Sequence, residues 1–435
     1  MKRAWLIIIL LLSFPAFAEE TLTLDQARDI AIKNHPDVLS AGFNTQAAEE
    51  DVKATRSAYF PQITGNAVRA YAGDDTRIAA PGSLNNPLII NRGSAGVGLS
   101  QLITDFGRTG DLLASSKLQL EAQKSRTTFT RDTVLLDVTR AYYNVLRAKT
   151  LLKVAEETLK TRQTLLDQIT SLRNVKIKSD LDLSIAKQTV NDANLLLLKA
   201  QTGVSDAEAT LSEALGLNQP RHFILTDGSK VTMPPDQVDL LIQAALEMNP
   251  ELAALKAEKG AAERFAEAQT EAQYPTVSAL GFAGATPIRD SDQQIESNYA
   301  AAGVNVSIPL FTGGLLTAQE RKAKYKAKAS GEDLEARKNQ IVRDIQVAFD
   351  NTQTSYKNIN VTQELLKNTT DALNLTQARY DLGKSSIVDL SEAQLFQTQA
   401  QIQNANAAYE YLIQLALLEY KIGGNVSINP AGRIR

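Results

Sequence analysis

The sequence predicts a membrane α+β protein built as a tandem duplication, in which each half supplies two β-strands and one very long α-hairpin. Three observations carry this fold class. The polar turn Ser179-Asp180-Leu181-Asp182-Leu183-Ser184 has a twin, Ser386-Ile387-Val388-Asp389-Leu390-Ser391, 207 residues later. Each turn lies in a tract without proline, from Leu88 to Gln219 and from Leu310 to Asn429, so the turns are the main interruptions of helix. In both halves an aromatic-proline pair, Phe60-Pro61 or Tyr274-Pro275, precedes glycine-rich sequence without helical periodicity.

The first element is an export signal. Met1-Lys2-Arg3 leads into the apolar segment Ala4 to Phe14, and Ala16-x-Ala18 supplies a cleavage pattern. Residues 1–18 therefore read as a signal peptide, with the mature chain starting near Glu19. An anchor helix is the alternative, and Pro15 and the acidic Glu19-Glu20 flank favour cleavage. The absence of cysteine excludes disulfides, thiolate metal sites, a Cys nucleophile and lipidation at a new N-terminal cysteine. His35 precedes Pro36 at a helix end and His222 sits in a linker, so neither reads as a metal ligand, and no metal or cofactor is expected. A net charge of −3 with mixed signs leaves no nucleic-acid footprint. Beyond the signal no apolar run approaches 18 residues. Such an exported chain is periplasmic, secreted or a β-barrel of an outer membrane, since only helices and closed barrels satisfy their backbone groups in lipid.

The first repeat spans 19–217. Leu24, Ala27, Ile30 and Ala31, then Val38, Ala41, Ala48 and Val52, mark helix on either side of His35-Pro36. Asn249-Pro250 answers that break, and Tyr274-Pro275 answers Phe60-Pro61, both 214 residues on. The second repeat is therefore 236–424. The linker 218–235 holds Gln219-Pro220, Asp227-Gly228, Pro234-Pro235 and one short strand, and 425–435 is a tail.

Two strands are expected after each aromatic-proline pair. Gly303 to Leu310 alternates apolar and small or polar residues, and Gly96 to Ser100 matches it. A half-buried soluble strand alternates in the same way, so periodicity alone leaves lipid contact open. Tyr59, Phe60, Tyr71, Phe106, Tyr274, Phe282, Tyr299 and Phe311 fall near strand ends, as interfacial aromatics do. Turn-rich stretches, Gly73 to Ser94 and Pro287 to Ser297, read as external loops.

Helices then run from about Arg108 and about Leu315 to the tips, near 173–184 and 380–391. The ~65 residues from Arg108 to Leu172 would span ~97 Å at ~1.5 Å per residue. Val138, Val145, Leu152, Leu159 and Leu166 recur every seven residues, with Ala141, Ala148 and Ala155 at a small position. Ile345, Thr352, Ile359, Leu366 and Leu373 share that phase. A soluble coiled coil and one wall of a larger helical tube fit this pattern equally. Gly216 and Gly423-Gly424 close the returning helices.

Four strands cannot close a transmembrane barrel, which needs about eight, so a membrane-spanning chain of this design must oligomerise. No nucleophile elbow, phosphate loop or metal-spaced cluster is present, which argues against an enzyme. The rival class is a periplasmic coiled-coil adaptor or structural protein. It would carry one β-domain flanking one hairpin rather than strands in both halves.

The duplicated aromatic-Pro pattern, the run Ser307-Ile308-Pro309-Leu310-Phe311-Thr312-Gly313-Gly314 and the tip Tyr380-Asp381-Leu382-Gly383-Lys384-Ser385-Ser386-Ile387-Val388-Asp389 together resemble the TolC family of outer-membrane efflux proteins, over essentially the whole mature chain. The resemblance implies a homotrimer with a shared twelve-stranded barrel in outer-membrane lipid and a helical tunnel in the periplasm. It also implies passive exit of substrates for a tripartite pump or type I secretion system, gated at the periplasmic tips. A periplasmic adaptor (membrane fusion) protein and an inner-membrane pump of RND, ABC or MFS type are the implied partners.

In that family acidic residues ring the inner end of the tunnel, and Asp389 and Glu392 match those positions. Three residues apart, they share a helix face. Ser386-x-x-Asp389 and Ser179-x-x-Asp182 also read as capping boxes, which explains Asp389 without a ring, whereas Glu392 is answered by Ile185 in the first copy. Gly383 is the tip glycine. An arginine common two residues later in the family is replaced by Ser385 here, leaving Lys384, or Lys176 and Lys178 of the other hairpin, as candidate latch or adaptor contacts. The basic stretch Arg321, Lys322, Lys324, Lys326 and Lys328 reads as solvated helix surface in preference to a lumen site.

Overall fold

The computed structural model describes residues 21–71, 92–226, 231–285, 288–289, 294–295 and 298–424. The expected signal peptide, the tail and most of the first external loop lie outside these residues. The order in the first half is β1 (Thr21–Leu22), α1 (Leu24–Asn34), α2 (Pro36–Arg56), β2 (Gln62–Ala70), β3 (Arg92–Thr104), α3 (Arg108–Asn174) and α4 (Asp180–Ala214). Then come β4 (Ile224–Leu225), α5 (Val238–Met248), α6 (Pro250–Glu271), β5 (Thr276–Ala285), β6 (Ile288–Arg289), β7 (Gln294–Ile295), β8 (Asn298–Ser307), α7 (Leu315–Asp381) and α8 (Ile387–Ile422). The fold is helix-rich α+β. Equal ascending helices were expected, and α3 and α7 each have 67 residues. Among the described residues no helix is long and apolar enough to cross a membrane.

The chain forms two compact units. One contains Ala41–Thr128 and Pro250–Gln340. Its sheet runs β2-β3-β5-β8, antiparallel throughout, with a register shift between Leu102 and Thr104. Register places Ile63, Leu99 and Gly281 on one face with Val97, Ala283, Val304 and Val306, which is the apolar side that alternation predicted. Gly96 and Gly284 are paired across β3 and β5, and the Tyr299 hydroxyl sits where a Cβ on either would lie, 2.7 Å and 2.8 Å away. Only glycine fits beneath that ring. The expected external loop Pro287 to Ser297 contains the short pair β6 and β7, which continue the sheet. The eight expected interfacial aromatics are all exposed.

Helices of this unit hold together through hydroxyls and ion pairs at their small-residue faces. Thr127 bridges Thr45 at 2.8 Å and the Ala41 carbonyl at 3.0 Å, and Ser115 donates to the Ala261 carbonyl at 2.8 Å. Arg126 pairs with Glu258 and Arg337 with Glu251.

The other unit contains Met1–Ser40, Phe129–Asn249 and Ile341–Arg435. Its core gathers Val138, Ala141, Tyr142, Val145, Leu211, Leu215 and Tyr411 with Ala27 and Ala31. The heptad residues Val138, Val145 and Ile345 are fully buried. The linker strand is β4, which pairs in parallel with β1, a partner that the sequence reading did not include. Tyr142 ties this small sheet to α3, its hydroxyl 2.9 Å and 2.8 Å from the carbonyls of Leu22 and Thr226. His222 joins Glu208, which also pairs with Lys149 at 3.0 Å.

Candidate functional site

The two tips use the same turn chemistry. At the second, Gly383 adopts φ +71 and donates to the Tyr380 carbonyl at 3.0 Å, while Lys384 N–H donates to Arg379 at 2.8 Å. This is a Schellman closure, in which a left-handed residue satisfies the last carbonyls of a helix. At the first, Lys176 adopts φ +63, with Lys176 N–H to Arg173 and Ile177 N–H to Leu172, both at 2.9 Å. Lys176 thus occupies the position that glycine takes in the other tip. Its left-handed backbone accounts for the turn.

Each following helix begins on a complete capping box. Asp182 N–H donates to Ser179 Oγ at 3.2 Å and Ser179 N–H to Asp182 Oδ2 at 2.9 Å. Asp389 N–H donates to Ser386 Oγ at 3.1 Å and Ser386 N–H to Asp389 Oδ2 at 2.9 Å. Ser385 adds a further hydrogen bond to Asp389 Oδ2 at 2.9 Å. Ser385 is therefore a second hydroxyl donor to the cap. These donors, the Ser386 amide first, hold Asp389 below the usual carboxylate range. Burial pushes Asp182 up, but the Ser179 hydrogen bonds and Lys178 outweigh it and leave its pKa lowered.

Glu392 is different. It is exposed, and among the described residues its carboxylate has no hydrogen bond or ion pair. It shares a surface groove with Asp389, Leu365, Thr369 and Phe396. Its counterpart Ile185 instead packs on the apolar cluster beneath the tips, made by Leu165, Ile169, Ala186, Tyr380, Ile387 and Leu390. Where the first hairpin uses this turn for core, the second presents a free charge.

Of the three candidate lysines, Lys178 makes the defined contact between hairpins, with Nζ 3.7 Å from the centre of the Tyr380 ring. Lys384 is exposed, its carbonyl 3.5 Å from Arg379 Nη2. Sequence reasoning missed Tyr380 as a partner and also missed Arg162. Arg162 is 7% exposed, with Nη2 3.5 Å from Thr398 Oγ1 and Nη1 buried without a hydrogen bond. Burial lowers its pKa to about 10. A signal existed: Arg162 is the next heptad position after Ala141, Ala148 and Ala155. Among the described residues no group of His, Cys, Asp and Glu is placed to hold a metal.

A family model described as outer membrane efflux protein matches residues 27–217 and 241–424. The chain is 25% identical over 420 residues to the outer membrane protein TolC of Salmonella enteritidis, covering 92% of this chain and 83% of that one. To TolC of Escherichia coli it is 24% identical over 434 residues, covering 96% and 85%. Its fold matches the crystal structure of the Campylobacter jejuni CmeC outer membrane channel with a TM-score of 0.79 at 19% identity, covering 92% and 85%.

Proposed function

This chain belongs to the outer membrane efflux protein family, and on that premise we propose that it is a trimeric outer-membrane channel-tunnel giving passive exit to substrates of a tripartite efflux pump or type I secretion system. The observation that carries the reading is the sheet β2-β3-β5-β8. Its long outer strands β2 and β8 are each paired on one side only, and its apolar residues Ile63, Val97, Val304 and Val306 are exposed. Open edges are not tolerated in lipid. Three copies joined edge to edge give twelve strands and leave none.

The reading treats the two halves as a duplication, supported by the two matched stretches of one family model. Strands in both halves also weigh against an adaptor. The tips are the proposed gate, with Glu392 as the lumen-facing charge, Asp389 doubling as cap, and Ser179, Asp182, Gly383 and Ser386 shaping the turns. Lys178 serves as the latch, and Lys384 and Lys176 as surface for a periplasmic adaptor that connects to an inner-membrane pump. The protein resides in the outer membrane and extends into the periplasm, exported by the signal at 1–18. The test is extraction of outer membranes with detergent: a heat-modifiable trimer that conducts in planar bilayers supports the channel, and a soluble monomer rejects it.

A further inference from the structure

The edge strands of the sheet determine which helices become neighbours when copies join. β2 is entered from α2, and β8 leads into α7, both at the same end of the sheet: β2 and β5 run parallel with β3 antiparallel between them, and Thr276 at the start of β5 pairs with Ser307 at the end of β8. An edge-to-edge junction sets β8 of one copy beside β2 of the next, antiparallel. It therefore sets α7 beside the next copy's α2.

The faces these helices leave uncovered are complementary. On α7, Ala323 and Leu334 are buried, and Glu320 accepts from Gln273 beyond the end of α6 at 2.7 Å. The opposite face carries Ala318, Arg321, Lys322, Tyr325, Lys326 and Ala329 along one groove, with Tyr325 68% exposed. No carboxylate of the described residues pairs with Arg321, Lys322 or Lys326, although Lys324 on the covered side pairs with Glu320. On α2, Ala41 and Thr45 face α3 through Thr127. The opposite face exposes Phe43, 65% accessible, with Ala47, Glu50 and Ala54, and Asp51 beside them. Among the described residues Glu50 pairs only with its own helix neighbour Lys53, at 2.8 Å.

Glu50 lies six residues before the end of α2 and Arg321 six residues after the start of α7, each ~9 Å along its helix from the end nearer the sheet. The proposal rests on the trimeric reading above. We infer that the basic face of α7 in one copy locks onto the acidic face of α2 in the next, with Glu50 and Asp51 set among Arg321, Lys322 and Lys326, and Phe43 and Tyr325 packed along the small alanines. The basic stretch then becomes subunit interface rather than lumen lining. It also gives the assembly a direction, because a + to − contact of this kind is heterologous, the class of contact from which closed rings are built.

The chain has no cysteine, so an engineered pair reports cleanly. Ala54→Cys with Ala318→Cys, oxidised with copper phenanthroline in detergent-extracted membranes, should give a disulfide-linked ladder ending at the trimer, and neither single variant should. The triple variant Arg321→Glu, Lys322→Glu, Lys326→Glu should lose the trimer at a temperature where the wild type keeps it, and adding Glu50→Lys and Asp51→Lys should restore it. High salt should mimic the triple variant in part. Native mass spectrometry of the same samples separates the outcomes. An intact trimer with no crosslink, and with heat stability unchanged by charge reversal, overturns this interface and leaves the channel standing. A wild-type monomer overturns the channel reading and this inference with it.

Discussion

The Lys178 ammonium sits 3.7 Å from the centre of the Tyr380 ring, which joins the first hairpin tip to the second within one chain. Tyr380 is buried and belongs to the apolar cluster under both tips, so the contact fixes the relative position of the two turns. A cation over a desolvated aromatic face contributes ~1–2 kcal/mol. Replacing Lys178 with Met keeps the stem and removes the charge. We expect longer open times for Lys178→Met in planar bilayers, and an unchanged open time would remove Lys178 from the gate.

Lys176 holds a left-handed backbone at φ +63, where a side chain costs ~1 kcal/mol relative to glycine. Lys176→Gly should therefore stabilise the first tip by ~1 kcal/mol, and Gly383→Ala should weaken the second by a similar amount. Proteolytic susceptibility near the tips reads both effects. Equal cleavage of wild type and Lys176→Gly would show that the turn is not limiting.

Much of this was legible beforehand because it is local chemistry. The starts of α3 and α7, the Ser-x-x-Asp caps and the closing glycines follow from short-range rules that a single sequence displays. The turn-forming role of Lys176 was hidden for a physical reason: it lies in φ, which the residue name conceals when it is not glycine. The Lys178–Tyr380 contact and the buried Arg162 depend on which turns of α3 meet α7 and α8. Heptad phase allows that pairing without specifying it. The strand β1 is only Thr21–Leu22, too short for alternation to register.

Asp389 and Glu392 should separate when mutated. Asp389 is engaged by Ser386 and Ser385, so Asp389→Asn should lower the melting temperature and fray the start of α8. Its folded pKa is depressed, so that stabilisation is present above the unfolded value and is lost as pH falls through the lower folded value. Glu392→Gln should leave stability unchanged and weaken cation block of single-channel current at neutral pH. Unaltered block in the double variant would remove the acidic ring.

Asp132 titrates in the opposite sense. It is buried beneath Gly424, so close that a Cβ there would overlap its carboxylate. Burial, only partly offset by Arg131, pushes its pKa up to about 6. The group favours the folded state fully below the unfolded value near 4, and that contribution is lost as pH rises through about 6. The penalty at neutral pH is of order 2 kcal/mol. Asp132→Asn should raise the melting temperature at pH 8 and make little difference at pH 3.5. A gain of equal size at both values would locate the effect outside the titration.

Arg162 is the buried charge with the least compensation near the tips. A guanidinium removed from water loses hydration worth several kcal/mol, and a single 3.5 Å contact to Thr398 Oγ1 returns little of it. Its pKa, lowered to about 10, still leaves it charged at neutral pH, so the cost is carried by the folded chain. Apolar residues of similar volume at such sites are neutral or stabilising by ~1–4 kcal/mol. Arg162→Met should therefore raise the melting temperature of the detergent-solubilised protein without loss of oligomer. Arg162→Ala, which leaves a cavity against α8, should not. If Arg162→Met lowers stability as much as Arg162→Ala, the guanidinium has an anionic or water partner in the assembled protein, and a salt-dependent melting curve of the wild type would tell these two apart.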